Sequence, residues 1–267
     1  MSSLPPTARS VTVPDFRAAK GTRKLVVVTG YDYTAARILD AAGVDAILVG
    51  DSLGMVVQGH ANSLPVTLGQ MLYHTRCVVR GAKRALVVAD LPFLTYQASS
   101  EQAVRNAGKF LKAGASAVKI EGGERMADRI AACVRADIPV MGHVGLTPQS
   151  VRKLGGFKVQ RDADRIVADA QAVETAGAFA IVIESVPPAI GEQVTKAVGI
   201  PTIGIGAGAG CDGQVLVWHD LLGLYPDFRP KFAKAFAELG AQATTAIESY
   251  CRDVRDGTFP GPEHTFK

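Results

Sequence analysis

Asp51, Asp90 and Glu121 are each set down at the end of a short apolar run, over residues 46–49, 84–89 and 116–120 respectively. Three carboxylates brought to one place repel one another unless a cation lies between them. A divalent ion with oxygen ligands, such as Mg2+ with part of its water shell retained, suits one to three of them. The plainer reading of each is a helix cap or an acceptor for backbone amides. Capping accounts for each singly but not for three in succession. Lys119 shares a strand face with Glu121 through the two-residue period of a strand. An ammonium facing a barrel interior costs desolvation unless it is paired. Lys119 is therefore a candidate for holding an anionic substrate group or forming a Schiff base. A salt bridge to Glu121 or a neighbouring carboxylate is the alternative. His143 follows the apolar run 138–141, and Glu184 follows Ile181-Val182-Ile183. Each is a candidate general acid or base, with a structural hydrogen bond as the other reading of His143. A carboxylate on an apolar rim gains proton affinity, which suits a base that must accept a carbon-bound proton.

Holding these residues together requires a repeating scaffold, and the chain supplies one. Its organising stretch is residues 44–59, a buried run that opens into Gly50-Asp51-Ser52. Apolar runs that read as buried parallel strands recur at 24–28, 45–49, 84–89, 116–120, 138–141, 179–183, 200–205 and 214–217. Helical periodicity lies mostly between them, over 34–42 (stopped by Gly43), 67–81, 99–113, 124–135, 162–176 and 188–198. A short helix over 14–20 precedes the first strand, and a helix over about 232–254 closes the chain. Residues 52–65 and 146–160 read as long loops. Eight even units with no composition break predict an α/β fold, a (β/α)8 TIM barrel, with ligands at the carboxyl ends of the strands. An open doubly wound sheet is the alternative. It is disfavoured because no nucleotide fingerprint follows the first strand. One domain is expected over 1–267, with an arm over about 1–13 and a loose tail over about 257–267. The run Gly206–Gly210 leads into a late GxGxxG match at 208–213. It lacks the opening βαβ context of a dinucleotide site, and reads as a phosphate cradle or a close approach to a cofactor ring.

Composition narrows the class. The 267 residues are 48% hydrophobic and 20% charged, with a net charge of +4 from dispersed basic residues. No basic run or interleaved aromatic patch points to nucleic acid. Cys77, Cys133, Cys211 and Cys251 are far apart and lack zinc-ligand spacing, which fits reduced thiols in a cytoplasmic protein. No apolar run of 18 residues is present to span a membrane, and no secretory h-region is read at the N-terminus. His60, His74, His219 and His264 read as loop or surface residues.

Longer segments carry a resemblance. Tyr31-Asp32-Tyr33, LVGDSLGMVVQGH at 48–60, LPVTL at 64–68, ADLPF at 89–93, VKIEGG at 118–123, GHVGLTPQS at 142–150, GGFKVQ at 155–160, IPTIGIGAG at 200–208 and DGQVLVWHD at 212–220 span nearly the whole chain. In that order they closely resemble the ketopantoate hydroxymethyltransferase family. The resemblance implies a barrel of the phosphoenolpyruvate mutase and isocitrate lyase type. It implies that Asp51 and Asp90 bind Mg2+, with Glu121 at the metal, and that Ser52 and Lys119 hold the substrate 3-methyl-2-oxobutanoate beside Asp51 and Asp90. Glu184 would be the proton acceptor and His143 a supporting contact. It further implies 5,10-methylenetetrahydrofolate as cosubstrate and a homodecamer. The chain departs from the family pattern at Gly30 before Tyr31-Asp32, at Ser185 after Glu184, and in a shorter connection after Gln160. An alternative is another Mg2+-dependent keto-acid lyase or mutase of the superfamily, although none of the four cysteines lies in a lyase-like KKCGH loop. A catalytically silent barrel binding a phosphorylated ligand at the glycine run is the non-enzymatic alternative.

Overall fold

The computed structural model describes residues 9–225 and 230–266. Residues 1–8 of the expected arm and Lys267 of the expected tail lie outside the described residues. Eight strands, β1 (Leu25–Thr29), β2 (Ala46–Val49), β3 (Leu86–Asp90), β4 (Ala117–Glu121), β5 (Val140–Gly145), β6 (Ala180–Glu184), β7 (Thr202–Ile205) and β8 (Gly213–Leu216), pair in sequence order. β8 returns alongside β1, with Leu25 opposite Gly213 and Val27 opposite Val215, and closes a parallel barrel. The predicted (β/α)8 barrel is the architecture observed.

The described helices are α1 (Val13–Ala18), α2 (Tyr33–Ala42), α3 (Leu53–Val56), α4 (Leu68–Gly81), α5 (Ser100–Lys112), α6 (Ala127–Arg135), α7 (Val151–Leu154), α8 (Ala163–Thr175), α9 (Pro188–Ala197), α10 (Trp218–Leu222) and α11 (Leu239–Arg255). Local chemistry sets their ends. Asp32, Thr67, Ser99 and Asp162 cap α2, α4, α5 and α8 through their side chains. Gly43 ends α2 in the left-handed region, at φ 86°. The two regions read as long loops contain the short helices α3 and α7, which are too brief to show a period. The closing helix begins at Leu239 rather than near 232. The preceding segment is tied instead by Phe236 N–H donating to Leu221 O at 2.8 Å.

The chain divides into two compact units, Met1–Val217 and Trp218–Lys267. The second holds α10, α11 and a final segment in which Phe259 packs edge-on to Tyr250, with centroids 5.5 Å apart. The first holds the barrel. One continuous apolar cluster draws Leu25 and Val27, Ala46 and Leu48, Leu86 and Val88, Ala117, Met141, Ala180 and Val182, Ile203 and Val215 from all eight strands. It is the inside of the barrel. At its amino end α1 inserts Phe16, which is fully buried and meets Phe179 edge-on at 5.8 Å. Of the expected arm, residues 9–13 are described, and Val11 N–H donates to Arg84 O at 2.8 Å.

The glycine run departs from its expectation. β7 and β8 are parallel, so residues 206–212 must travel back down the barrel, and they do so without a helix. Lys24, just before β1, donates to the carbonyls of Ala209 (3.3 Å) and Cys211 (2.5 Å). Only the start of the run lies near the strand carboxyl ends. The rest is a crossover, not a phosphate cradle.

Because Phe16 closes the amino end, far from every strand carboxyl terminus, Phe16→Ala is expected to destabilise the fold by about 3–5 kcal/mol, as for other buried aromatic truncations. Urea denaturation of the variant checks this. A loss under 1 kcal/mol would mean that α1 is not the plug.

Candidate active site

The site is the continuation of the apolar rows. A strand presents alternate residues to one face, so two steps beyond a core residue is again inside. Asp90 follows Val88; Lys119 and Glu121 follow Ala117; His143 follows Met141; and Glu184 follows Val182. Asp90 and Glu121 end their strands, and β5 runs on through His143 to Gly145, further than expected. His143 is thus a strand residue, opposite Glu121 on one side and Val182 on the other. Asp51 lies one residue past Gly50, beyond the end of β2.

These side chains converge. Lys119 Nζ lies 3.1 Å from Asp90 Oδ1, 3.7 Å from Glu121 Oε1 and 3.0 Å from His143 Nδ1. His143 Nδ1 is 3.6 Å from Glu121 Oε1, and its Nε2 is 3.2 Å from Glu184 Oε2. The backbone N–H of Asp51 donates to Asp90 Oδ2 at 3.0 Å. Asp51, Asp90, Lys119, Glu121 and His143 are all buried, whereas the Glu184 side chain keeps 15% of its surface exposed and so stays reachable from the mouth. Ser52 stands apart from the ion pairs, its Oγ 2.9 Å from the Tyr31 hydroxyl.

Burial and the neighbouring carboxylates of Glu121 and Asp90 push the Asp51 carboxyl well above the usual range. Burial also raises Asp90, against the pull of Lys119. Burial acts the same way on Glu121, but Lys119 and His143 outweigh it and hold Glu121 low. Lys119 keeps its proton more firmly than a free lysine: burial opposes the charge, and Asp90, Glu121 and Asp51 more than restore it. For His143, burial and Lys119 lower the proton affinity. The acceptor carboxylates of Glu121 and Glu184 more than offset them and raise it to about 9. A protonated ring and an ammonium cannot both donate across 3.0 Å. In the neutral ring, the Lys119 contact places the lone pair on Nδ1 and the ring proton on Nε2, toward Glu184.

Sequence reasoning passed over three residues. Gln149 is buried, and its amide nitrogen donates to Asp51 Oδ2 and Leu91 O, both at 2.9 Å, while its backbone N–H donates to Glu121 Oε2 at 3.0 Å. Tyr96 lies buried with its hydroxyl 2.8 Å from Gln149 Oε1 and 3.0 Å from Glu121 O. His74, expected at the surface, is half-buried on α4 with Nδ1 2.6 Å from Tyr31 O. None of the three roles depends on a net charge, so charge-based reading has no hold on them. The available signal was position, and only for Gln149, which falls within the motif GHVGLTPQS.

The residues suit a divalent cation by charge. Asp51, Asp90 and Glu121 outnumber the buried cationic side chains beside them, Lys119 and His143. Among the described residues no three His, Cys, Asp or Glu side chains already stand in cation-holding geometry. Lys119 lies between Asp90 and Glu121, and a few carboxylates with retained water are a ligand set that Mg2+ accepts.

Glycine is required at one point of this frame. Gly145 has φ 86°, and a Cβ there would fall 2.4 Å from the carbonyl oxygen of Glu184. Close strand contact next to Glu184 depends on the missing side chain.

A closed parallel barrel with a buried carboxylate, lysine and histidine centre at the strand carboxyl ends defines a (β/α)8-barrel enzyme. A family model described as ketopantoate hydroxymethyltransferase matches residues 10–262. The chain belongs to that family. A 3-methyl-2-oxobutanoate hydroxymethyltransferase of Enterococcus faecalis is 55% identical over 249 residues, covering 91% of this chain and 90% of that protein. One of Trichlorobacter lovleyi is 54% identical over 263 residues, covering 97% and 99%. Among solved structures, phosphonopyruvate hydrolase in complex with oxalate and Mg2+ is 17% identical with a TM-score of 0.63, covering 95% of this chain and 93% of that one. A 2,3-dimethylmalate lyase of the PEP mutase/isocitrate lyase superfamily is 20% identical with a TM-score of 0.60, covering 96% and 91%. These structures share the fold.

Asp51→Asn removes one buried charge and keeps an oxygen acceptor for Gln149. Without metal at neutral pH it is expected to stabilise the protein by on the order of 1–3 kcal/mol. The folded carboxyl is raised above its usual value of 3.8. Wild-type stability therefore falls as pH rises from that value through the raised one, and the advantage of the variant opens over that window and shrinks on acidification. Thermal melts in chelator across pH check it. No stabilisation at neutral pH would mean that the carboxylates do not repel.

Proposed function

We propose that this chain is a 3-methyl-2-oxobutanoate hydroxymethyltransferase. It would add the one-carbon unit of 5,10-methylenetetrahydrofolate, with water, to C3 of the keto acid, giving 2-dehydropantoate and tetrahydrofolate. The observation that carries the reading is the convergence of Asp90 and Glu121 on the buried Lys119 next to a reachable carboxylate, Glu184, beside His143.

Asp51 and Asp90 would hold Mg2+ directly and Glu121 through water. The bound cation supplies Lewis-acid polarisation of the keto group. Lys119 places a fixed positive charge where negative charge develops on the substrate oxygen, and its burial makes that charge more effective than it would be in water. Asp90 and Glu121 keep Lys119 protonated, so it acts as an electrostatic partner and not as an amine nucleophile. Glu184 Oε2 takes the C3 proton. His143 Nε2, 3.2 Å away, orients that carboxylate toward the substrate. The Ser52 hydroxyl, held by Tyr31, is a donor for the substrate carboxylate. The carbon pair left at C3 attacks the methylene carbon as one of its two bonds to folate nitrogen breaks. Water then replaces the second nitrogen, its oxygen staying on that carbon as the hydroxyl, and the two departing nitrogens take up the protons given by Glu184 and by water.

A homodecamer and a cytoplasmic location belong to the same reading. Among the described residues no helix is long and apolar enough to cross a membrane.

Proton NMR of 3-methyl-2-oxobutanoate in deuterated buffer with Mg2+, without folate, tests the base separately from the transfer. Wild type is expected to lose the C3 proton signal, and Glu184→Gln to slow that loss by about 10²–10⁴-fold. Chelation is expected to stop it in both. Equal exchange in both proteins would move the base elsewhere, with His143 next. Exchange in neither would overturn the reading.

A further inference from the structure

We propose that Gln149 is a positioning residue that fixes the carboxylates of Asp51 and Glu121 in the orientation in which they receive the divalent cation. The inference rests on the metal reading above. It comes from the way one neutral side chain ties successive strand ends together. Its amide nitrogen reaches Asp51 after β2 and the carbonyl of Leu91 after β3, both at 2.9 Å. Its backbone N–H reaches Glu121 Oε2, at the end of β4, at 3.0 Å. Gln149 itself sits in the turn after β5. The loops carrying all three carboxylates therefore meet on this residue.

The direction of the amide is dictated by its neighbours. On one side stand two acceptors, a carboxylate oxygen and a backbone carbonyl. On the other, Oε1 accepts from Gln97 Nε2 at 3.0 Å and stands 2.8 Å from the Tyr96 hydroxyl, whose single proton also faces the Glu121 carbonyl. Turning the amide over would set its oxygen against the Asp51 carboxylate oxygen and the Leu91 carbonyl. An amide is the one side chain of this length that satisfies both sides without adding a charge. A glutamate would aim a third oxygen at Asp51, and a leucine would leave the Asp51 oxygen and the Leu91 carbonyl unpaired in a buried place. Tyr96 and Gln97 then act through Gln149. Tyr96 reaches only the backbone carbonyl of Glu121 and no carboxylate oxygen. Groups that orient metal ligands in this way change metal affinity by about 10–100-fold when removed.

Calorimetric titration with Mg2+ alone tests the assignment, on wild type, Gln149→Leu, Tyr96→Phe, Gln97→Ala and the Gln149→Leu/Tyr96→Phe pair, with metal-free melts alongside. Gln149→Leu is expected to weaken Mg2+ binding by about 10–100-fold. Tyr96→Phe and Gln97→Ala are expected to weaken it a few-fold, and Tyr96→Phe to add nothing once Gln149 is gone, because coupled residues are not additive. Should Gln149→Leu fail to fold, Gln97→Ala, which touches no carboxylate, carries the test. Mg2+ affinity unchanged in the folded variants, whatever their melting temperatures, would overturn the proposal and leave the metal reading standing. Additive losses in the pair would overturn the part assigned to Tyr96. Failure of wild type itself to bind Mg2+ would overturn the metal reading and this proposal with it.

Discussion

An ammonium buried among carboxylates is the constraint on which the upper half of this barrel depends. Lys119 would cost too much to bury alone. It is tolerated because Asp90 and Glu121 lie within 4 Å and His143 presents a ring nitrogen at 3.0 Å. Those partners are strained without it, since only the His143 ring would then stand against three buried carboxylates. Neither half of the arrangement is stable by itself, and the strands must deliver all of it together. The register does so: Asp90 sits opposite Lys119, and Glu121 opposite His143.

The barrel separates its tasks along the axis. The amino half is sealed by Phe16 and filled by aliphatic side chains, and it supplies the burial that holds the fold. The carboxyl half carries polar residues on the same inward rows and strains against its own charge. A structure that placed such a cluster on loops alone would relax it by moving the loops apart. Here the strands prevent that, and the repulsion is retained.

Much of this was legible in the sequence, for a physical reason. An apolar run followed by a carboxylate marks both a buried strand and the polar position at its end, so Asp51, Asp90, Glu121 and Glu184 announce fold and site in the same residues. Lys119 was legible through the two-residue period. What stayed hidden has equally definite causes. His143 looked like a loop residue because the glycines around it mask a strand whose pairing with β6 is tertiary. The helices α3 and α7 are single turns without a period. The closing helix started late because backbone contacts to the end of α10 compete for residues 232–238. Gln149 and Tyr96 are uncharged side chains whose hydrogen bonds join segments tens of residues apart, which no local pattern encodes. The glycine run looked like a ligand loop, yet its later carbonyls are taken by Lys24 at the opposite end.

Gly145 has a consequence for how such an enzyme can diversify. With the carbonyl of Glu184 lying where any side chain would begin, the edge between β5 and β6 is a fixed datum, closed even to alanine. The distance between imidazole and carboxylate is thereby withheld from gradual variation. Descendants of this sequence would vary the segments after β2, β3 and β5, around a histidine–carboxylate pair whose spacing they inherit unchanged.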